Sequence, residues 1–164
     1  MALTMRGALL AAVLPMMVAL PGELVPAAAQ MSAATAGNRH LYSETADAAA
    51  DIAAAKKVAR RENRRILIEF GGNWCGDCLI LDGYYHQMPN AELIAKHYVL
   101  VHVDIGHMDR NMEIAAKYHV PVRRGVPALA VLDARGNLLY AEREKEFEQT
   151  SPAAVTALLN RWKA

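Results

Sequence analysis

Ile66-Leu67-Ile68-Glu69-Phe70-Gly71-Gly72-Asn73-Trp74-Cys75-Gly76-Asp77-Cys78 is the stretch from which the rest of the chain is read. Its first five residues are a short apolar run with β-branched Ile66 and Ile68, closed by two glycines. That is the pattern of a buried central strand. Glu69 is the polar exception inside it, and a carboxylate held there without a partner resists ionisation, because burial penalises the charged form. After the glycine turn, Cys75 falls in the first turn of a helix, where a thiolate meets unpaired backbone N–H groups and the positive end of the helix dipole. A cysteine so placed in a Cys-x-x-Cys motif ionises below the free value of ~8.5. The spacing therefore predicts Cys75 as the attacking sulfur. Cys78, one helical turn on and pointing inward, is the sulfur that resolves a mixed disulfide.

Downstream of this stretch the pattern predicts a helix to about His86, a turn at Met88-Pro89, a short helix from Asn90 as cap to His97, and a second strand over Val99 to Ile105. Asp109 to Tyr118 reads as helix and Val120 to Pro127 as a loop. Ala128 to Leu132 and Leu138 to Glu142 flank Ala134-Arg135-Gly136-Asn137 as a hairpin. The last helix has Ser151 as cap, Pro152 at its first position, and Val155, Leu158, Leu159 and Trp162 at helical spacing. Upstream, Ser43 to Asn63 is rich in Ala, Lys, Arg and Glu and lacks Pro and Gly, so a helix is expected to start near Ser43 or Thr45. Its basic end, from Lys56 to Arg65, complements the helix dipole. This order of elements calls for a mixed sheet covered by helices on both faces, the α/β class.

The chain's 164 residues hold one domain. Arg6, the uncharged apolar run Gly7 to Leu20, the break at Pro21-Gly22 and the small residues Ala27-Ala28-Ala29 form a cleavable signal peptide over residues 1–29. The run is shorter than the ~20 residues a membrane anchor needs and carries Pro15. Residues 30–42 read as a flexible leader and residues 43–164 as the folded domain. The expected product is periplasmic or secreted, with no stable membrane association after cleavage. A net charge of +1 offers no field that would favour nucleic acid.

Both cysteines lie in one motif, and the six histidines include no His-x-x-x-His pair. A structural zinc site would need two further ligands. A c-type haem would need a histidine where Leu79 stands. A disulfide closing so short a loop restricts the unfolded chain very little. No metal or other cofactor is implied by the main reading. Copper(I) held by the two thiolates and a side chain such as His86 stays open as a second one. Tyr84, Tyr85 and His86 read as packing residues. His102 alternates with Val101 and Val103 and shares a strand face with Leu100 and Asp104, which admits a place near Glu69 but favours a solvent-facing or strand-end position.

From Ile66 to Trp162 the chain resembles the thioredoxin superfamily, in particular its exported thiol:disulfide interchange branch. Trp74 resembles the tryptophan that covers the first cysteine. Arg124-Gly125-Val126-Pro127-Ala128 resembles the loop whose proline is cis and lies against the disulfide. The resemblance implies a thioredoxin-like fold and catalysis by Cys75 and Cys78. It also implies a substrate groove at Trp74, Val126 and Pro127, and a buried acid at Glu69 that exchanges a proton with Cys78. Protein disulfides would be the substrates, with an upstream thiol as electron donor. Leu100 stands where thioredoxin has a lysine beside the buried acid, and Asp77 replaces the usual proline. Gly76 and Asp77 tune the redox pair, and the acidic Asp77 near Cys75 disfavours the thiolate, which favours a reductase or isomerase over an oxidant.

Overall fold

The computed structural model describes residues 40–164. The expected signal peptide and leader residues 30–39 lie outside the described residues. Helix α1 runs Ala48–Glu62 and leads into strand β1, Arg65–Gly71. Helices α2, Gly76–Tyr85, and α3, Asn90–His97, precede β2, Tyr98–Asp104. A short α4, Met112–Lys117, and a 3-10 turn, Val122–Arg124, then lead to β3, Ala128–Leu132, β4, Leu138–Ala141, and the last helix α5, Pro152–Trp162.

The sheet order is β2-β1-β3-β4. β1 runs parallel to β2 and antiparallel to β3, and β3 and β4 form the expected hairpin. On one face Ile66, Ile68 and Phe70 pack with Ile52, Ala55 and Ala59 of α1 and with Ile114 and Ala115 of α4. On the other, Leu67, Leu129 and Val131 pack with Leu81 of α2 and with Val155, Leu158 and Leu159 of α5. Alternate residues of a strand point to opposite faces, so β1, buried on both, reads as the continuous apolar run seen in the sequence. The fold is the expected α/β sandwich with helices on both faces.

Several boundaries differ from the sequence reading, each for a local reason. Tyr42, assigned to the leader, is buried in the core. Its backbone N–H donates to Asn73 Oδ1 at 2.9 Å, and Asn73 Nδ2 donates to its carbonyl at 2.8 Å. The chain so pinned must turn before it can helix, and α1 is capped by Asp47, not Ser43 or Thr45. The Asp47 side chain accepts from Ala50 N at 3.0 Å. Asn90 is the first residue of α3, not its cap. Its buried amide donates to the carbonyls of Tyr84 and Pro152, and its oxygen accepts from the Thr156 hydroxyl, tying α2, α3 and α5 together. The helix expected from Asp109 shrinks to α4 because Met108 and Asn111 adopt left-handed backbone at φ 69° and 52°. Ser151 and Pro152 start α5 as expected.

Candidate active site

The end of β1, the glycine turn and the start of α2 bring the two cysteines to the edge of the sheet. They are joined as a disulfide with Cα atoms 5.3 Å apart. Cys75 is the cap of α2, and its sulfur accepts the Cys78 backbone N–H at 3.2 Å. This is the N-terminal donor geometry that holds charge on the outer sulfur once the pair is reduced. Cys75 is 5% exposed and Cys78 is sealed at 0%. Asp77 lies in the first turn of α2 and Gly76 is exposed beside it.

Around Cys75 the structure gathers the residues expected to form a groove. The Val126–Pro127 peptide bond is cis, as is Met88–Pro89. The Val126 carbonyl oxygen lies 3.5 Å from Cys75 Sγ. Trp74 is 48% exposed, and its indole N–H donates to the Gly106 carbonyl at 2.7 Å. The His107 ring stacks on the indole at 5.5 Å between centroids. The sequence reading missed His107, because a lone histidine in a glycine-containing loop carries no periodic signal.

Behind Cys78 the arrangement is polar and enclosed. Glu69 is fully buried, its pKa pushed up to about 8, mainly by burial and further by the nearby Asp82, against the hydrogen bond from Tyr42. The Tyr42 hydroxyl donates to Glu69 Oε1. Its own pKa is driven well above the usual phenol value by burial and by Glu69. A Cβ at Gly71 would approach within 2.8 Å of both the Tyr42 hydroxyl oxygen and Cys78 Sγ. Only glycine fits that gap, which the Tyr42 hydroxyl and Cys78 Sγ both line.

His102 takes the less favoured of its two readings. β1 and β2 pair with Glu69 opposite His102 and Leu67 opposite Leu100. The histidine therefore stands beside the buried acid instead of facing solvent, with Nε2 3.6 Å from Glu69 Oε2 and 3.7 Å from Asp82 Oδ1. Burial, with repulsion from His86, lowers its pKa to about 4, so the ring is neutral at neutral pH. Tyr42, Asp82 and Asn73 were missed. The only hint of Tyr42 was the pair of adjacent bulky apolar residues, Leu41 and Tyr42, at the end of a mostly small and polar leader.

Tyr85 is buried and Tyr84 packs beside it, as expected. His86 caps the opposite end of α2 from Cys75, its Nδ1 2.8 Å from the Asp82 carbonyl. A helix of that length separates its ends by on the order of 15 Å. His86 therefore cannot join the two sulfurs in a copper(I) site. Among the described residues no group of three or more His, Cys, Asp or Glu side chains gathers in an arrangement that could hold a metal ion.

Residues 47–134 match a family model described as thioredoxin-like. A disulphide isomerase from Xylella fastidiosa Temecula1 superposes with a TM-score of 0.70 at 32% identity, covering 74% of this chain and 95% of that one. A protein described as DsbH oxidoreductase superposes at 0.51 with 25% identity over 66% of this chain and 78% of its own. A thioredoxin of Mycoplasmoides gallisepticum is 28% identical over 67 residues, 41% of this chain; the match spans 58% of that relative's length.

Proposed function

This chain belongs to the thioredoxin-like family, and from that premise we propose that it is an exported thiol:disulfide oxidoreductase, a reductase or isomerase of protein disulfides. The observation that carries the reading is the asymmetric pair: Cys75 at the rim on a helix start, and Cys78 sealed behind it. In the reduced protein the Cys75 thiolate attacks a substrate disulfide. A Cys75–substrate bond forms, the substrate S–S bond breaks, and one substrate sulfur leaves and takes up a proton. Cys78 then loses its proton to Glu69 and attacks Cys75. The Cys75–Cys78 bond forms, the second substrate sulfur leaves, and two electrons have passed to the substrate. An upstream thiol donor restores the dithiol. For isomerisation, the released substrate thiol attacks elsewhere before resolution occurs.

Trp74, Val126 and Pro127 would line the bound substrate chain, and Gly76 and Asp77 would tune the pair. Likeness to the Xylella disulphide isomerase supports a disulfide-isomerising activity, and the acidic Asp77 beside Cys75 supports work in the reducing or isomerising direction. In the reduced protein, an alkylating reagent at limiting concentration is expected to modify Cys75 at least tenfold faster than Cys78, because only the outer sulfur meets solvent as thiolate. Peptide mapping after short exposure reads this. Equal labelling of both sulfurs would remove the division of roles.

Export rests on the sequence of residues 1–29. Mass measurement of mature protein from the producing cells should give a chain beginning near Gln30. An intact chain starting at Met1 would overturn that part of the proposal.

A further inference from the structure

Every resolution step on the proposed pathway releases one proton from Cys78 into a pocket with no opening of its own, since Glu69 is completely enclosed. We propose that Tyr42, His102 and Asp82 complete a proton path between Cys78 and solvent, with Tyr42 bridging Cys78 to Glu69 and the His102–Asp82 pair forming the exit. This rests on the reading that Glu69 takes the Cys78 proton.

Three juxtapositions mark the path. The Tyr42 hydroxyl hydrogen-bonds Glu69 Oε1 and stands against the Gly71 hydrogens together with Cys78 Sγ. On the proposed path this phenol takes the thiol proton as it passes its own to the carboxylate, once the freed Cys78 thiol turns toward the hydroxyl across the Gly71 gap. On the far side of Glu69, Oε2 and His102 Nε2 face each other at 3.6 Å, and the Tyr85 hydroxyl also approaches the Glu69 carboxylate. His102 Nε2 is also 3.7 Å from Asp82 Oδ1, and Asp82 Oδ2 is 3.7 Å from His86 Nδ1. The side chains of His102 and Asp82 are 18% and 10% exposed, whereas that of Glu69 is at 0%. His102 Nε2 and Asp82 Oδ1 are themselves enclosed, and other atoms of the two side chains reach the surface, so the pair is the outermost part of the buried network.

The transfer balances. Cys78 S–H gives its proton to the Tyr42 oxygen as the Tyr42 proton moves to Glu69 Oε1. The carboxyl turns and presents its O–H to His102 Nε2, which receives it in the tautomer protonated on Nδ1. The imidazolium passes the Nε2 proton to Asp82 Oδ1, and Asp82 releases it to water. Tyr42, Glu69, His102 and Asp82 end as they began, and one proton has left the protein. The titratable groups facing this path are Tyr42 before α1, Tyr85, Asp82 and His86 on α2, His102 on β2 and Glu142 after β4. Burial keeps His102 unprotonated at neutral pH and makes it a weak base, so it holds the proton only in passing from Glu69 to Asp82.

The test is single-turnover resolution of a Cys75 mixed disulfide with a peptide thiol, followed by rapid quench at pH 7 in dilute buffer. His102→Ala should slow resolution roughly tenfold. Adding imidazole at constant pH and ionic strength should restore the rate, because the small base enters the vacated exit; the parent protein should not respond to imidazole. Tyr42→Phe should slow resolution without imidazole rescue, since it breaks the path on the inner side. His102→Gln, which keeps the side chain's bulk and polarity, should be as slow as His102→Ala, and it decides the matter if the alanine variant does not fold. A parent-like rate in both His102 variants, or a slow His102→Ala rate that imidazole leaves unchanged, overturns the exit. Glu69→Gln in the same assay separates the two levels. Slow Glu69→Gln with fast His102 variants defeats the exit alone, and fast Glu69→Gln defeats the Glu69 reading beneath it.

Discussion

Glu69→Gln in the oxidised protein is expected to melt close to the parent at pH 5 and well above it at pH 9. In the folded parent Glu69 titrates near 8, against 4.5 for an unburied glutamate. Between those values the unfolded chain gives up a proton that the folded chain retains, so the stability present below the lower value is lost as pH rises through about 8. Each unit of difference corresponds to ~1.4 kcal/mol, which places the full loss at a few kcal/mol and the Tm gap at on the order of ten degrees for a domain of this size. Glutamine keeps the shape and cannot ionise, so it escapes the loss. Glu142 contributes a loss of the same sign, its pKa pushed up to about 7 by burial. It is present in both proteins, so the comparison retains only its coupling to Glu69, which is the smallest of the causes acting on that carboxyl. His102 acts the other way: held near 4 when folded, it costs stability as pH falls below about 6.5. Thermal melts of variant and parent from pH 5 to 9 decide the matter. A gap that stays constant across that range would mean Glu69 does not titrate in it. The same substitution should slow resolution by Cys78 by on the order of a hundredfold or more if Glu69 is its base.

Either cysteine replaced by serine should abolish steady-state turnover of a protein disulfide, with kcat/KM falling to the uncatalysed background, but for different reasons. Without Cys75 no thiolate stands at the helix start and the first bond never forms. Without Cys78 the first bond forms and persists, since the remaining hydroxyl is too weak a nucleophile to displace the substrate. Disulfide reduction assayed with each variant, beside the parent, reads this directly. Residual turnover in Cys75→Ser would assign the attack to the wrong sulfur.

The sequence carried the architecture well because the decisive signals are local. The β1 run, the glycine turn, the Cys-x-x-Cys spacing and the Ser151-Pro152 helix start each depend on a few adjacent residues, and each stands where expected. The polar pocket behind Cys78 was only half legible. Glu69 stood out as a charge within an apolar strand, but its partners come from three other segments. His102 is brought beside it by the parallel register of β1 and β2. The alternation of a strand edge gives no means of telling such a position from a solvent-facing one. Tyr42 is held by hydrogen bonds to Asn73, thirty-one residues away, and it sits at the end of a mostly small and polar leader with no periodic pattern. Asp82 on α2 reads as an ordinary helix-surface acid until the helix is laid on the sheet. Tertiary placement, not composition, made these residues a site.

The proposed chemistry stands or falls on a covalent link between Cys75 and the substrate, through which the electrons pass. To capture that link, reduced Cys78→Ser is mixed with a protein disulfide substrate, quenched with acid, and analysed by mass spectrometry of peptides under non-reducing conditions. A stable one-to-one adduct joined through Cys75 is expected. No covalent adduct, with the substrate disulfide intact, would contradict the mechanism.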